Sequence, residues 1–543
     1  MTKYYVLGDQ PLTLDIVAAI ARNKRRVTVS DTVKKKLMAT RSMIETHWMN
    51  DDAPLIYSFN TGVGVFKNTR VEMSDIAQFQ ENVIFAHATG VGPDLPEDVV
   101  RTVMLLRLNA FMGDYSGVSI NVVDRIVAFL NLDLVPAIPA QGSVGASGDL
   151  APLAHMTGAL CGFEGAFMIS NGVRQSAAKV IADSGLPANM AMLSKDASAL
   201  INGSTVSLAI ATLAVIDAQK LVKHGDISLS LSLEAMRCEK DAFIPEIHAA
   251  RPHLGQQLVA RNVTRLTNNS KRMTVQARTL VYPGEVDWTG NSSARVVVPR
   301  VQDSYSLRCA PQVHGPAREA LKYASDIVER ELNSATDNPL IVKVGSERRA
   351  VSGGHFHGQY IAQVMDLLSI GMTDLSSICE RRVARLIDPV MSCGLARNLA
   401  SGKPGLNTGY ATVQCSLSAL VMENRTLSAP GSTDSIPGKG NAEDHVSNST
   451  WCARKAAMIV RNLEMVIAGE MLVAAQALSS VELLAHDYPL ADGTQAALAA
   501  IRSVIPFRNE GDVWYANDMN AAMELVSNNQ ILLACEAAVG VVE

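Results

Sequence analysis

The stretch Gln359 to Leu386, QYIAQVMDLLSIGMTDLSSICERRVARL, decides the fold. Its apolar positions Ile361, Met365, Leu368, Met372, Leu375 and Cys379 alternate spacings of four and three, which puts them on one stripe of a helix. At ~1.5 Å per residue such a helix approaches 40 Å, too long for one small domain to bury except against helices of similar length. Val313 to Leu332 and Ala456 to Leu484 repeat the pattern less regularly. The expectation is a mainly α protein, a bundle of long antiparallel helices.

Strand signals are few. Ala166 to Ile169, Ser170-Asn171-Gly172 and Val173 to Gln175 predict a small hairpin on an Asn-Gly turn. Leu340 to Val344 and Arg348 to Val351, joined through Gly345-Ser346-Glu347, predict another. Neither alternates with helices as a doubly wound sheet requires. Gly-, Pro- and Ser-containing loops fall at Pro136 to Ala146, Ser401 to Thr408 and Ala429 to Asn441. None is long enough for a linker, so three regions of one catalytic unit are expected: helices and loops over 1–200, the long bundle over 201–485 and terminal helices over 486–543.

The 543 residues are 48% hydrophobic and 19% charged, with apolar residues spread throughout, which excludes a disordered chain. A formal charge of -5 gives no electrostatic basis for binding nucleic acid. The eight cysteines lie far apart without metal or redox spacing and read as reduced core thiols of a cytoplasmic protein. The apolar stretch Leu12 to Ala21 contains Asp15 and precedes the basic Lys24-Arg25-Arg26, the reverse of a secretion signal. Ala199 to Ala218 contains Asn202, Gly203 and Asp217 and reads as a buried core helix, not a membrane span.

The chemistry is concentrated in Gly142-Ser143-Val144-Gly145-Ala146-Ser147-Gly148-Asp149-Leu150-Ala151-Pro152. By itself Ala-Ser-Gly arises by chance in about one chain in five of this length. Here Asp149 and Pro152 signal a helix start, so Ala146 to Gly148 sits before exposed N–H groups that favour negative charge. Gly148 has no Cβ, which lets its nitrogen approach the Ala146 carbonyl carbon; loss of water from Ser147 then leaves a methylene electrophile.

The sequence resembles the ammonia lyases and aminomutases that form a 4-methylidene-imidazol-5-one (MIO) group from their own Ala-Ser-Gly. Five segments carry the resemblance: Tyr57 to Gly62, Gly142 to Pro152, Leu200 to Gly203, Tyr305 to Cys309 and Asn441 to Ser447. It implies the helical bundle of aromatic amino acid lyases, akin to fumarase and aspartase, assembled as a homotetramer with active sites shared between subunits. It also implies MIO from Ala146, Ser147 and Gly148, with neither metal nor nucleotide.

Residue by residue, the resemblance makes Tyr57 the base, which requires positive potential beside a phenol of pKa ~10. Arg308, a planar fork suited to a carboxylate, becomes the substrate anchor. Tyr305 shares its helical face, and Gln302 precedes both. Asn202 becomes an amide bonded to MIO and substrate, where the residues alone suggest a kink. Phe356, in Gly-Gly-His-Phe-His, packs beside the prosthetic group. His355 and His357, two apart and without a carboxylate, do not form a metal pattern.

His87 falls at the side-chain selector position, and Asn441-Ala442-Glu443-Asp444-His445-Val446-Ser447 resembles the histidine-specific subgroup. An acidic Glu443 suits an imidazole; the residues alone also allow His87 and Glu443 to satisfy each other at a subunit interface. The expected activity is elimination of ammonia from L-histidine to give urocanate. An aminomutase yielding a β-amino acid, a phenylalanine or tyrosine ammonia lyase and, more distantly, an inactive scaffold are the alternatives. Ser58, His355, Ala442 and Ala396-Arg397 depart from the family pattern.

Overall fold

The computed structural model describes residues 4–279, 301–403, 405–438 and 442–543, except for the side chains of 483 and 484. The chain divides into two compact units. The first comprises 1–216, 324–366 and 430–457; the second comprises 217–323, 367–429 and 458–543.

The expected helix spans Gln359–Leu386, and its stripe Ile361, Met365, Leu368, Met372, Leu375 and Cys379 is wholly buried. The flanking long helices are Thr205–Ala235, Pro311–Leu332, Ala411–Leu427 and Ser449–Ala485. Side-chain pairs in the second unit fix their directions. Thr373 meets the Asn424 carbonyl while Glu380, further along, meets Ser418 and Gln414, so these two helices run antiparallel. Asn462 bonds Asn424 and Gly469 lies against Leu417, again antiparallel. Arg318 and His314 both reach Asp226, and Gly371 packs on Ala317. Small residues at such crossings let helix backbones approach.

A buried ion pair lies inside this bundle. Arg382 donates Nε and Nη2 to Glu470 at 2.6 and 2.8 Å, and Ser228 and Ser232 satisfy the same carboxylate. Unpaired, each would carry a penalty of several kcal/mol.

In the first unit both predicted hairpins form: Phe167–Ser170 with Val173–Ser176, and Leu340–Val344 with Glu347–Val351. Asn171 and Gly172 take φ of 50° and 72°, as a two-residue hairpin turn demands. The first hairpin also gains Val135–Pro136 as a third strand. Sequence patterning missed a parallel pair, Tyr4–Leu7 with Arg26–Val29, which brackets the helix Leu14–Ala21. That helix accounts for the apolar stretch at Leu12 to Ala21.

The expected continuous helix from Ala199 to Ala218 is a break, not a kink. Asp196–Ile201 ends at Asn202, and a new helix begins at Thr205. The Thr205–Ala235 helix is long and apolar enough to cross a membrane, but most of it is buried within the protein. Five of the eight cysteines are buried, and no disulfide joins them.

Candidate active site

The Ala146 to Gly148 turn stands immediately before the helix Leu150–Cys161, as its start signals require. Asp149 holds the N-cap position but does not cap the helix with its side chain. Its buried carboxylate accepts Ser143 Oγ at 2.9 Å and Thr450 Oγ1 at 2.5 Å on one oxygen, and Ser207 N and Oγ at 2.8 and 3.0 Å on the other. One carboxylate thus ties the turn to two other segments of the first unit, each bond to a charged acceptor contributing ~1.5–3 kcal/mol.

The turn is also paired through its backbone. Gly148 and Gly203 form a parallel bridge: Asp149 N donates to Gly203 O at 2.8 Å, and Gly203 N to Ser147 O at 3.4 Å. Gly148 has φ 78° and Gly203 φ 132°, both in the region that favours glycine, and a Cβ on either would run into backbone. Asn202 is held beside this bridge, its Nδ2 donating to Asn338 O at 3.2 Å. Its buried Oδ1 has no partner among the described residues.

Ser147 Oγ donates to Glu443 Oε1 at 2.7 Å, joining positions 296 apart in sequence. His87, by contrast, places Nδ1 2.7 Å from Val83 O at the end of its helix. Asn441, the first residue of the Glu443 motif, lies outside the described residues. His445 of the same motif lies against His357, Nδ1 to Nε2 3.3 Å, a contact the sequence did not suggest. Phe356 beside it is half-buried, and His355 is exposed.

Tyr57 lines a cavity of about 370 Å³ with Ile56, Thr61, Lys67, Asn68 and Pro339. Its hydroxyl oxygen accepts Gly64 N–H at 3.3 Å. Ser58, where the family pattern has glycine, adopts φ 66°; its Oγ donates to Ser198 Oγ at 2.6 Å inside the protein. The backbone geometry associated with glycine is thus kept with a serine.

Gln302, Tyr305 and Arg308 belong to the second unit. Tyr305–Arg308 is a single helical turn, and the Arg308 guanidinium lies 4.8 Å over the Tyr305 ring, which confirms their shared face. Arg308 Nε donates to Asp303 O at 2.8 Å. Tyr305 is 72% exposed and Gln302 is also exposed. Arg397, which stands in the altered Gly394 to Leu399 segment of this unit, starts a short 3-10 turn, Arg397–Leu399.

The protein is thus a helical one whose candidate site centres on a serine turn tethered through Asp149 and through its backbone. More particularly, the chain belongs to the aromatic amino acid lyase family, whose model matches residues 12–503. It is 39% identical over 541 residues to the histidine ammonia-lyase of Alkaliphilus metalliredigens, covering 100% of both chains. Among solved structures, it is similar to the histidine ammonia-lyase of Trypanosoma cruzi at TM-score 0.86 and 32% identity, covering 99% of this chain and 96% of that one. The tyrosine aminomutase of Streptomyces globisporus matches at TM-score 0.89 and 32% identity, covering 99% of both.

Proposed function

We propose that the protein is an ammonia-lyase that converts L-histidine to urocanate and ammonia, using an MIO group made from Ala146, Ser147 and Gly148. The observation that carries this reading is the 2.7 Å bond from Ser147 Oγ to Glu443 Oε1. It sets the acidic side chain suited to an imidazole directly against the serine whose hydroxyl is lost on dehydration. Once that hydroxyl is gone, Glu443 Oε1 needs a new donor, and a substrate imidazole N–H supplies one. Full-length relatives named histidine ammonia-lyases support the same substrate.

The residues fit the prosthetic group: two glycines occupy backbone positions where a Cβ would clash, and Asn202 presents a buried amide oxygen without a partner. The group supplies an electrophilic methylene that makes the substrate nitrogen a better leaving group. Tyr57 removes the β-hydrogen, its hydroxyl oxygen held by the Gly64 N–H on a cavity that Lys67 also lines. Asn202 orients the amine. Arg308 binds the substrate carboxylate, with Tyr305 and Gln302 beside it. His87 borders the side-chain end of the substrate, and Phe356 packs by the prosthetic group.

A homotetramer with shared sites accounts for the exposure of Tyr305 and of the apolar side chains Leu367, Ile370, Met422 and Met458 on long helices. An aminomutase is the second reading, favoured by the similarity to the Streptomyces globisporus enzyme. Incubation with each standard amino acid, following ultraviolet absorbance of the conjugated acid together with β-amino acid formation, decides between them. Histidine is expected to give urocanate. Turnover of phenylalanine or tyrosine with none of histidine, or a dominant β-amino product, would overturn the proposal.

A further inference from the structure

Arg107 lies in the helix Glu97–Phe111, within the apolar run Val103 to Phe111, and is wholly buried. Its Nη1 donates to the Asn202 carbonyl oxygen at 2.5 Å. Nε and Nη2 have no hydrogen-bond partner among the described residues. The guanidinium packs 5.1 Å over the Phe111 ring, and the carboxylate that acts on it, Asp337, is shared with Lys195 at 2.7 Å. Burial pulls its pKa down to about 10, which still leaves a cation at neutral pH. A charge kept in this setting with donors unused is costly, so its one strong contact calls for a purpose.

That contact falls on the Asn202–Gly203 peptide. The carbonyl end of this peptide faces Arg107, and its N–H end donates to the carbonyl oxygen of Ser147. The two bonds lie in series, so the cation polarises the peptide and strengthens its N–H as a donor. Gly203 cannot back away, because a Cβ there would already meet Thr336 O and Arg107 itself.

We infer that Arg107 is a positioning residue for maturation of the Ala146–Gly148 turn, acting through the Asn202–Gly203 peptide on the Ser147 carbonyl. The inference rests on the proposed ring closure. In that chemistry Gly148 N bonds to Ala146 C, and the Ala146 oxygen leaves as water with the protons of the Gly148 and Ser147 amides. A second water forms from the Ser147 Cα–H and Cβ–OH, leaving a Cα=Cβ bond; no oxidant is required. Loss of the Cα proton places negative charge on the Ser147 carbonyl oxygen, the atom that Gly203 N–H binds.

The test is intact-mass measurement on purified full-length wild type, Arg107→Met, Arg107→Gln and Arg107→Lys, with Ser147→Ala as the unmodified reference. Circular dichroism and melting select the folded material. Wild type is expected to lack the mass of two waters. In folded Arg107→Met and Arg107→Gln the share of chains with that full deficit should drop at least about tenfold, replaced by chains lacking one water or none, with Arg107→Lys between. Full two-water deficits in folded Arg107→Met or Arg107→Gln would overturn the inference alone. Insolubility of all three variants would assign Arg107 to folding and overturn it too. An undiminished mass in folded wild type would instead overturn the ring closure beneath it.

Discussion

Gly148 and Gly203 lie side by side as a parallel bridge, and neither position has room for a Cβ. The reactive turn and the Asn202 segment are therefore one backbone assembly. Gly203→Ala places a methyl against Thr336 O at a φ of 132°, a strain of at least about 2–3 kcal/mol. The variant should melt well below wild type, and any folded fraction should keep its full unmodified mass. A wild-type melting temperature would show that the bridge is looser than the structure indicates.

The bond between Ser147 and Glu443 leads to a prediction about substrate. Glu443→Gln keeps the shape of the side chain but loses the charge offered to an imidazole. Loss of a charge-assisted hydrogen bond is worth ~1.5–3 kcal/mol, or about 10- to 100-fold in kcat/KM for histidine. The two-water mass deficit should persist, since ring closure uses no atom of Glu443. Unchanged kcat/KM would remove Glu443 from substrate recognition.

Ser58 gives a stability comparison whose sign is specific. Its φ of 66° costs ~1–2 kcal/mol in a residue with a Cβ, and its hydroxyl recovers part of this through Ser198. Ser58→Gly removes strain and bond together and should stay within about 1 kcal/mol of wild type. Ser58→Ala keeps the strain and loses the bond, so it should be less stable than Ser58→Gly by about 1–2 kcal/mol in urea unfolding. Alanine equal to or above glycine would deny the strain.

Periodicity made the bundle legible. Within Gln359 to Leu386 the apolar positions alternate spacings of four and three from Ile361 to Cys379, and the helix found there has the same ends as that stretch. The Asn171-Gly172 turn was equally readable, since only a few residue pairs tolerate both positive φ values. What escaped depends on partners distant in sequence. Asp149 marked the helix start, but Ser207 and Thr450, which its carboxylate binds, are far along the chain. Arg107 stands out as a charge in an apolar run, a signal open to sequence reading, but nothing local names the Asn202 carbonyl as its target. The strands Tyr4–Leu7 and Arg26–Val29 are four residues each, too short for alternation to register.

The last prediction concerns pH. Glu234, at the end of the Thr205–Ala235 helix, accepts Ala491 N–H at 3.1 Å and the Thr494 hydroxyl, yet burial pushes its carboxyl up to about 7. An unfolded glutamate ionises near 4.5. Between these values the folded chain holds a proton that the unfolded chain has released, so stability falls as pH rises. Below the lower value both states are protonated and the effect vanishes; above the upper one the full cost remains, about 3 kcal/mol. Glu234→Gln cannot ionise. Wild-type stability minus that of the variant, from urea unfolding at a series of pH values, should therefore decline through this window and level off above it. A flat difference would mean that Glu234 is already ionised throughout, held by the Thr494 and Ala491 donors more strongly than burial opposes them.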